Sequence, residues 1–204
     1  MSHNLIATVI SFLVLSSVGI RAQTIESLFL ERLHAFNATT TSIQSDFVQT
    51  RRLAIMEEPL ISKGKFYYKK PGLMKWDQQL PTPYYFIING NKVIRFNGKE
   101  RKVMSSSSPQ IAHFKDFILG TIDGSMFESN KYSSLFIKNN NFIRVELLPL
   151  QKTMAKRLEK IELVFVYKSM VLKELIITEV GGDKMEIVFS NWQINTIENN
   201  TIFN

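Results

Sequence analysis

The chain contains no cysteine at all. Disulfide frameworks, thiolate nucleophiles and cysteine-ligated metals are excluded together, and stability has to come from the core. Histidine is scarce, at three residues, and His34 and His113 both fall on expected helices. No His-Glu-x-x-His is present, which excludes a zinc protease of that type, and neither Gly-x-x-x-x-Gly-Lys-Ser/Thr nor Gly-x-Gly-x-x-Gly offers a phosphate cradle. No Gly-x-Ser-x-Gly elbow presents a serine nucleophile. Ser105 to Ser108 reads as a loop and capping device. Asp116 and Asp123 share a helical face near His113, but such pairing is common on solvated helices and they read as that rather than as a metal set. The expectation is a binding protein with no cofactor and no metal, and not an enzyme.

Long hydrophobic runs are missing too. The longest, Leu5 to Val18, has about 14 residues against the ~20 that a bilayer crossing needs. With the small Ala22 after it, residues 1–22 read as an export signal cleaved before Gln23. Residues 23–204 then form a single exported domain, expected to be soluble. A lipoprotein is tethered through a cysteine at its cleavage site, so this chain is not expected to carry its own lipid. The net charge of +7 attracts anionic partners such as membrane headgroups or nucleic acid. Export removes nucleic acid from that pair, and the charge also serves solubility.

What the chain has in quantity is rings, with 15 Phe and six Tyr. Ile25, Leu28, Phe29, Leu33 and Phe36 follow a 3.6-residue period, with Thr24 as cap, Glu26 in the first turn and Arg32 and His34 toward the C-terminal end. This predicts a helix that stops within 37–42. From Phe47 onward the pattern is short strands punctuated by Pro71-Gly72, Pro81, Asn89-Gly90-Asn91, Asn97-Gly98, Asn139 to Asn141 and Gly181-Gly182. About eleven strands in one antiparallel meander are expected, curling toward an incomplete barrel to reduce exposed edges. One interruption breaks it: Ser108 and Pro109 open a second helix with the stripe Ile111, Phe114, Phe117 and Ile118, stopping at Gly120. This helix is either a core plug or a lid. The runs Leu163 to Tyr167 and Leu175 to Ile177 predict strands covered on both faces, one of them by helices. The barrel interior either packs solid or holds one apolar ligand.

The segment from Gly64 through Phe66, Tyr67, Tyr68, Lys69, Lys70, Pro71 and Gly72 to Met74 and Trp76 resembles the LolA family of lipoprotein carriers. Phe47-Val48-Gln49, the hairpin from Tyr84 to Val93, and the closing Phe189 to Asn195 with the tail from Asn200 to Phe203 resemble it as well. The likeness implies a mainly β fold with α: an incomplete antiparallel β-barrel covered by short helices around an acyl-chain cavity. It implies a monomeric carrier in the periplasm of a Gram-negative bacterium. Its partners would be acylated lipoproteins, an inner-membrane ABC-type exporter, and an outer-membrane receptor or membrane. By the same likeness Phe47, Phe66, Tyr68, Met74 and Trp76 fall at the cargo cavity. Leu28, Phe29, Leu33, Ile111, Phe114 and Phe117 form the lid, and Lys70, where the family has Arg, its latch. Lysine offers a point charge in place of arginine's planar fork. Met74 is flexible enough to suit varied chains. Two rivals stay open, a carrier of a glycolipid or pigment precursor and a lipid-sensing periplasmic regulator; a lipid-processing enzyme is disfavoured because no nucleophile and base are visible.

Overall fold

The computed structural model describes residues 24–90, 92–105 and 109–204, with the side chains of 104–114 not described. The signal expected at 1–22, the cleavage before Gln23, Asn91 and the capping Ser108 lie outside these residues, as do the side chains of Ile111, His113 and Phe114.

Helix α1 (Ile25–Thr39) leads into β1 (Ser42–Arg52), β2 (Leu60–Lys69), β3 (Leu73–Leu80), β4 (Tyr84–Asn89), β5 (Lys92–Phe96) and β6 (Arg101–Ser105). Helix α2 (Pro109–Asp123) follows, then β7 (Tyr132–Lys138), β8 (Phe142–Pro149), the single-turn α3 (Lys152–Ala155), β9 (Leu158–Val166), β10 (Leu172–Glu179), β11 (Lys184–Ile194) and a 3₁₀ turn over Thr201–Phe203.

All eleven strands form one antiparallel sheet in the order β6-β5-β4-β3-β2-β1-β11-β10-β9-β8-β7. The sequence predicts a single meander; the structure has two, joined where β1 pairs with β11. That pairing matches Phe47 with Phe189 and Gln49 with Ile187, partners that are remote in sequence, so no local pattern could reveal it. Its consequence is that β6 and β7, consecutive in the chain, lie at opposite edges. The sheet is open rather than closed into a barrel, and α2 is the connection between its two edges.

Alternation assigns the faces. Ser45, Phe47 and Gln49 of β1 share the concave face with Phe66 and Tyr68 of β2, Met74 and Trp76 of β3, and Phe86 and Ile88 of β4, as the registers show. Phe47 stacks on Trp76 with centroids 3.8 Å apart. Gly64, across from Phe47, puts no side chain in the way. It also sits at a register shift against β3, where an added Cβ would lie 2.0 Å from the Asp77 carbonyl oxygen.

The convex face carries a second, smaller core. Tyr67, Ile87, Ile94 and Phe203 are buried together, with Ile197 and Ile202 against them. The C-terminal tail therefore lies over β2 to β5, held by Lys69 Nζ donating to the Glu198 carbonyl at 2.9 Å. On the other half of that face, Glu162 is buried between Arg144 at 2.8 Å and Lys160 at 3.0 Å. Burial opposes ionisation of this carboxyl, but the hydrogen bonds from Lys160 and then Arg144 outweigh it and hold its pKa below the usual value. The unbroken apolar run of β9 thus has one face toward the helices, where Phe29 of α1 meets Phe165 at 5.0 Å. Its other face is covered by charged neighbours.

Both helices follow their sequence signals with two differences. Thr24 caps α1 by accepting from the Ser27 N–H at 3.1 Å, and Phe29 and Leu33 are buried, while Ile25 stays exposed. Because α1 runs on to Thr39, Arg32 and His34 do not sit in its last turn, which holds no basic residue. Helix α2 passes through Gly120 rather than stopping there. Gly120 is needed for close approach, an added Cβ meeting Met126 at 3.1 Å, and Gly124 with φ +90° ends the helix.

Gly64→Ala is expected to lower stability by about 1–3 kcal/mol, since the added methyl forces β3 outward; urea unfolding of the two proteins measures this. Glu162→Gln tests the convex network. A carboxyl with a depressed folded pKa stabilises above its unfolded pKa and loses that contribution as pH falls through the folded value. The variant is expected to lose stability at pH 7 and to show a weaker decline in acid than the parent, read from melting temperatures between pH 7 and pH 3.

Candidate functional site

Sheet curvature leaves the concave face too wide for its own side chains to fill. Between it and the helices lies a cavity of about 580 Å³, within the ~300–1,000 Å³ of small-molecule sites. Phe66, Trp76, Tyr84 and Phe86 wall it from the first meander, and Leu175, Ile177, Met185, Ile187 and Phe189 from the second. Leu33 and Phe36 of α1 and Phe117, Ile118, Thr121 and Ile122 of α2 close it. No Asp, Glu, Lys or Arg lines it among the described residues; its polar contribution comes from Ser45, Gln49, Gln78 and Thr121, with the tyrosine hydroxyls. Burial pushes the Tyr132 phenol on its wall above the usual range, so that ring is neutral at physiological pH. Such a space suits apolar chains with at most neutral polar atoms between them. No cluster of three or more metal-ligating side chains occurs among the described residues.

The structure sorts the residues named from sequence. Phe66, Trp76, Leu33 and Phe117 line the cavity. Phe47, Tyr68, Met74 and Phe29 are buried in the packed core around it, Met74 with only 1% of its surface exposed. Burial first, and then the charge of Asp123, pushes the Tyr68 phenol up. Leu28 is half-buried on α1. Ile111 and Phe114 belong to α2, their side chains outside the description.

Lys70 lies just past β2, and its Nζ donates to the Asn37 carbonyl in the last turn of α1. A cation there meets the negative end of the helix dipole. Arg32 ties the middle of α1 to the β9–β10 turn: Nη2 donates to the Tyr167 carbonyl at 2.9 Å, and the guanidinium lies 4.5 Å from that ring's centroid. Asn195, in the left-handed region at φ +62°, accepts from the Thr41 N–H at 2.6 Å and donates to the Thr39 carbonyl at 2.9 Å. Three anchors thus hold α1 against the sheet.

Sequence reasoning missed the second meander's contribution. Met185 and Ile187 stood in an expected strand, but nothing there separated a cavity wall from packed core. Met170 gave no signal at all. It sits in the β9–β10 turn at φ +56°, a conformation costing a residue with a Cβ roughly 1–2 kcal/mol, and lines the cavity.

The family model described as outer membrane lipoprotein carrier protein LolA matches residues 38–204. The chain belongs to the LolA family. A Pseudoalteromonas translucida outer-membrane lipoprotein carrier protein is 24% identical over 66% of this chain, and the match spans 62% of that relative's length, under two thirds of it. Among solved structures, that of the Pseudomonas aeruginosa MucA/MucB complex superposes with a TM-score of 0.54 at 11% identity, covering 89% of this chain and 61% of the other. A Vibrio parahaemolyticus domain, described as a putative outer membrane lipoprotein-sorting protein, aligns with a TM-score of 0.46 at 13% identity, over 89% of this chain and 97% of that one. At these identities the structural likeness concerns the fold. The LolA pattern first visible between Gly64 and Trp76 thus extends across both meanders.

Lys70→Met is expected to loosen the end of α1 and cost about 1.5–3 kcal/mol, the worth of a charge-assisted hydrogen bond. Lys70→Arg is expected to retain most of it. Chemical denaturation of both variants measures the difference.

Proposed function

We propose that this chain is a non-catalytic, monomeric periplasmic carrier that binds the acyl chains of lipoproteins in the concave cavity and shuttles them from the inner to the outer membrane. The observation that carries this reading is the cavity of about 580 Å³, walled by apolar rings and uncharged among the described residues. Each buried CH₂ contributes roughly 0.8 kcal/mol, so acyl chains do not cross water unaided, and a cavity of this character offers them comparable surroundings. The family membership supports the same reading.

In this scheme residues 1–22 direct export, an inner-membrane ABC-type exporter supplies the cargo, and an outer-membrane receptor or the membrane accepts it. Phe66 and Trp76 contact the chains directly, with Phe47, Tyr68 and Met74 supporting that wall from behind. Helix α2, carrying Ile111, Phe114 and Phe117, swings away as the chains enter. Leu28, Phe29 and Leu33 on α1 form the fixed side of the cover, and Lys70 keeps α1 in place. Displacing α2 exposes apolar surface, which offsets part of the gain from the cargo and keeps affinity moderate enough for release.

An environment-sensitive apolar dye is expected to bind saturably and to be displaced by a purified triacylated lipoprotein, but not by the same polypeptide without its lipid. Displacement by both forms, or by neither, contradicts the reading. Phe66→Asp, which buries a charge in the wall, is expected to reduce dye affinity about tenfold or more, as 1.4 kcal/mol or more of unpaired-charge cost implies.

A further inference from the structure

Two cations face each other at the end of the concave sheet. Arg95 of β5 is directly opposite Lys102 of β6, and on its other side it is opposite Phe86 of β4. Phe86 and Tyr84 are walls of the cavity. The Arg95 guanidinium lies 5.5 Å from the Tyr84 ring centroid. Strand alternation puts Val93, buried in the main core, on the same face as Arg95. Both cations therefore stand on the concave side, where the aromatic wall ends near the sheet's β6 edge.

Like charges directly opposite one another destabilise a strand pair, so this arrangement runs against stability. Among the described residues no carboxylate pairs with Arg95. Lys102 meets Glu100 at 3.1 Å, but with both side chains about two thirds exposed (68% and 64%), and such a pair adds little. Among the described residues the wall beyond Tyr84 holds no charge. A ligand whose chains fill the cavity therefore has to leave any charged head at its rim, where Arg95 has no carboxylate partner among the described residues and Lys102 has only an exposed one.

We infer that Arg95 and Lys102 form an oxyanion site for the headgroup of an anionic diacyl lipid whose chains occupy the cavity. This rests on the acyl-binding reading above and extends it to a second ligand class: phospholipid-type molecules with a phosphate next to their chains. The guanidinium donates in a plane to two phosphate oxygens, and the ammonium supplies a further charge from the facing strand. The Tyr84 ring under Arg95 restricts the guanidinium to the rim. Free phosphate has the same oxyanion chemistry but no chains, and the cation pair alone, being exposed, is expected to hold it weakly.

The test compares displacement of a bound apolar dye by phosphatidylglycerol, by diacylglycerol of the same chains, and by inorganic phosphate, using the full chain and an Arg95→Gln/Lys102→Gln variant. The expected result is that phosphatidylglycerol displaces dye about tenfold more effectively than diacylglycerol, the worth of charge-assisted hydrogen bonds. The preference disappears in the variant while diacylglycerol binds both proteins equally, and millimolar phosphate displaces nothing. Equal competition by the two lipids on the parent protein, or a preference that survives in the variant, overturns the headgroup site while leaving the acyl cavity standing. Failure of both lipids to compete overturns the cavity and the site together. Phosphate binding that the variant abolishes, without any lipid preference, shows a free-anion site and overturns the headgroup assignment. Circular dichroism and a melting curve for the variant check its fold; removal of the facing charges is expected to leave stability unchanged or slightly raised.

Discussion

The pairing of β1 with β11 governs the rest of the molecule. It places the first and last strands of the domain side by side at the centre of the sheet and leaves β6 and β7, neighbours in the chain, to end the sheet on opposite sides. The chain then has to cross from one edge to the other, and it does so through α2. The cavity's cover is thus the sheet's own edge-to-edge connection. Helix α1, by contrast, enters β1 directly, and Asn195 at the end of β11 stitches that junction through Thr39 and Thr41. One helix is rooted in the sheet's centre and the other is suspended between its edges, a difference that topology alone imposes.

Two kinds of packing follow from the curvature. Where the concave face meets α1, rings interlock: Phe29 contacts Phe127, Phe136 and Phe165 with centroids 5.0–5.3 Å apart. Where it faces Phe117, Ile118, Thr121 and Ile122 of α2, a cavity remains. Unfilled apolar space is costly, on the order of 24 cal/mol per Å³ in engineered cavities. On the convex face a small core is closed by the protein's own tail, with Phe203 fully buried. The cost of the hollow on the concave side is what an apolar occupant would offset.

Much of this was legible in the residues. Alternation and turn chemistry placed most strand ends within two residues, β3 without error, because Pro, Gly and Asn-Gly punctuate them; β1 starts at Ser42, five residues before the expected Phe47, where no such punctuation stands. The open barrel and its two helices followed from the same signals together with the LolA-like motif. Depth was not legible. A period of two tells which face a side chain takes, so Met74 and Trp76 read alike. Only curvature decides that Trp76 borders space while Met74 is enclosed by packed neighbours. The Lys70 position was visible in the motif, but its partner, the Asn37 carbonyl, depends on how far α1 extends. The central pairing of β1 with β11, and hence the role of α2 as a bridge, joins segments too distant for any local pattern to report.

In the proposed mechanism α2, the connection between the sheet's edges, moves while α1 stays in place. Hydrogen–deuterium exchange of the intact protein, with and without a saturating acylated ligand, reads this directly. The expected result is a rise in exchange confined to α2 on ligand binding, with the amides of α1 unchanged. A rise shared by α1 and α2, or protection of α2 with the ligand bound, would contradict the claim that α2 alone is the moving cover.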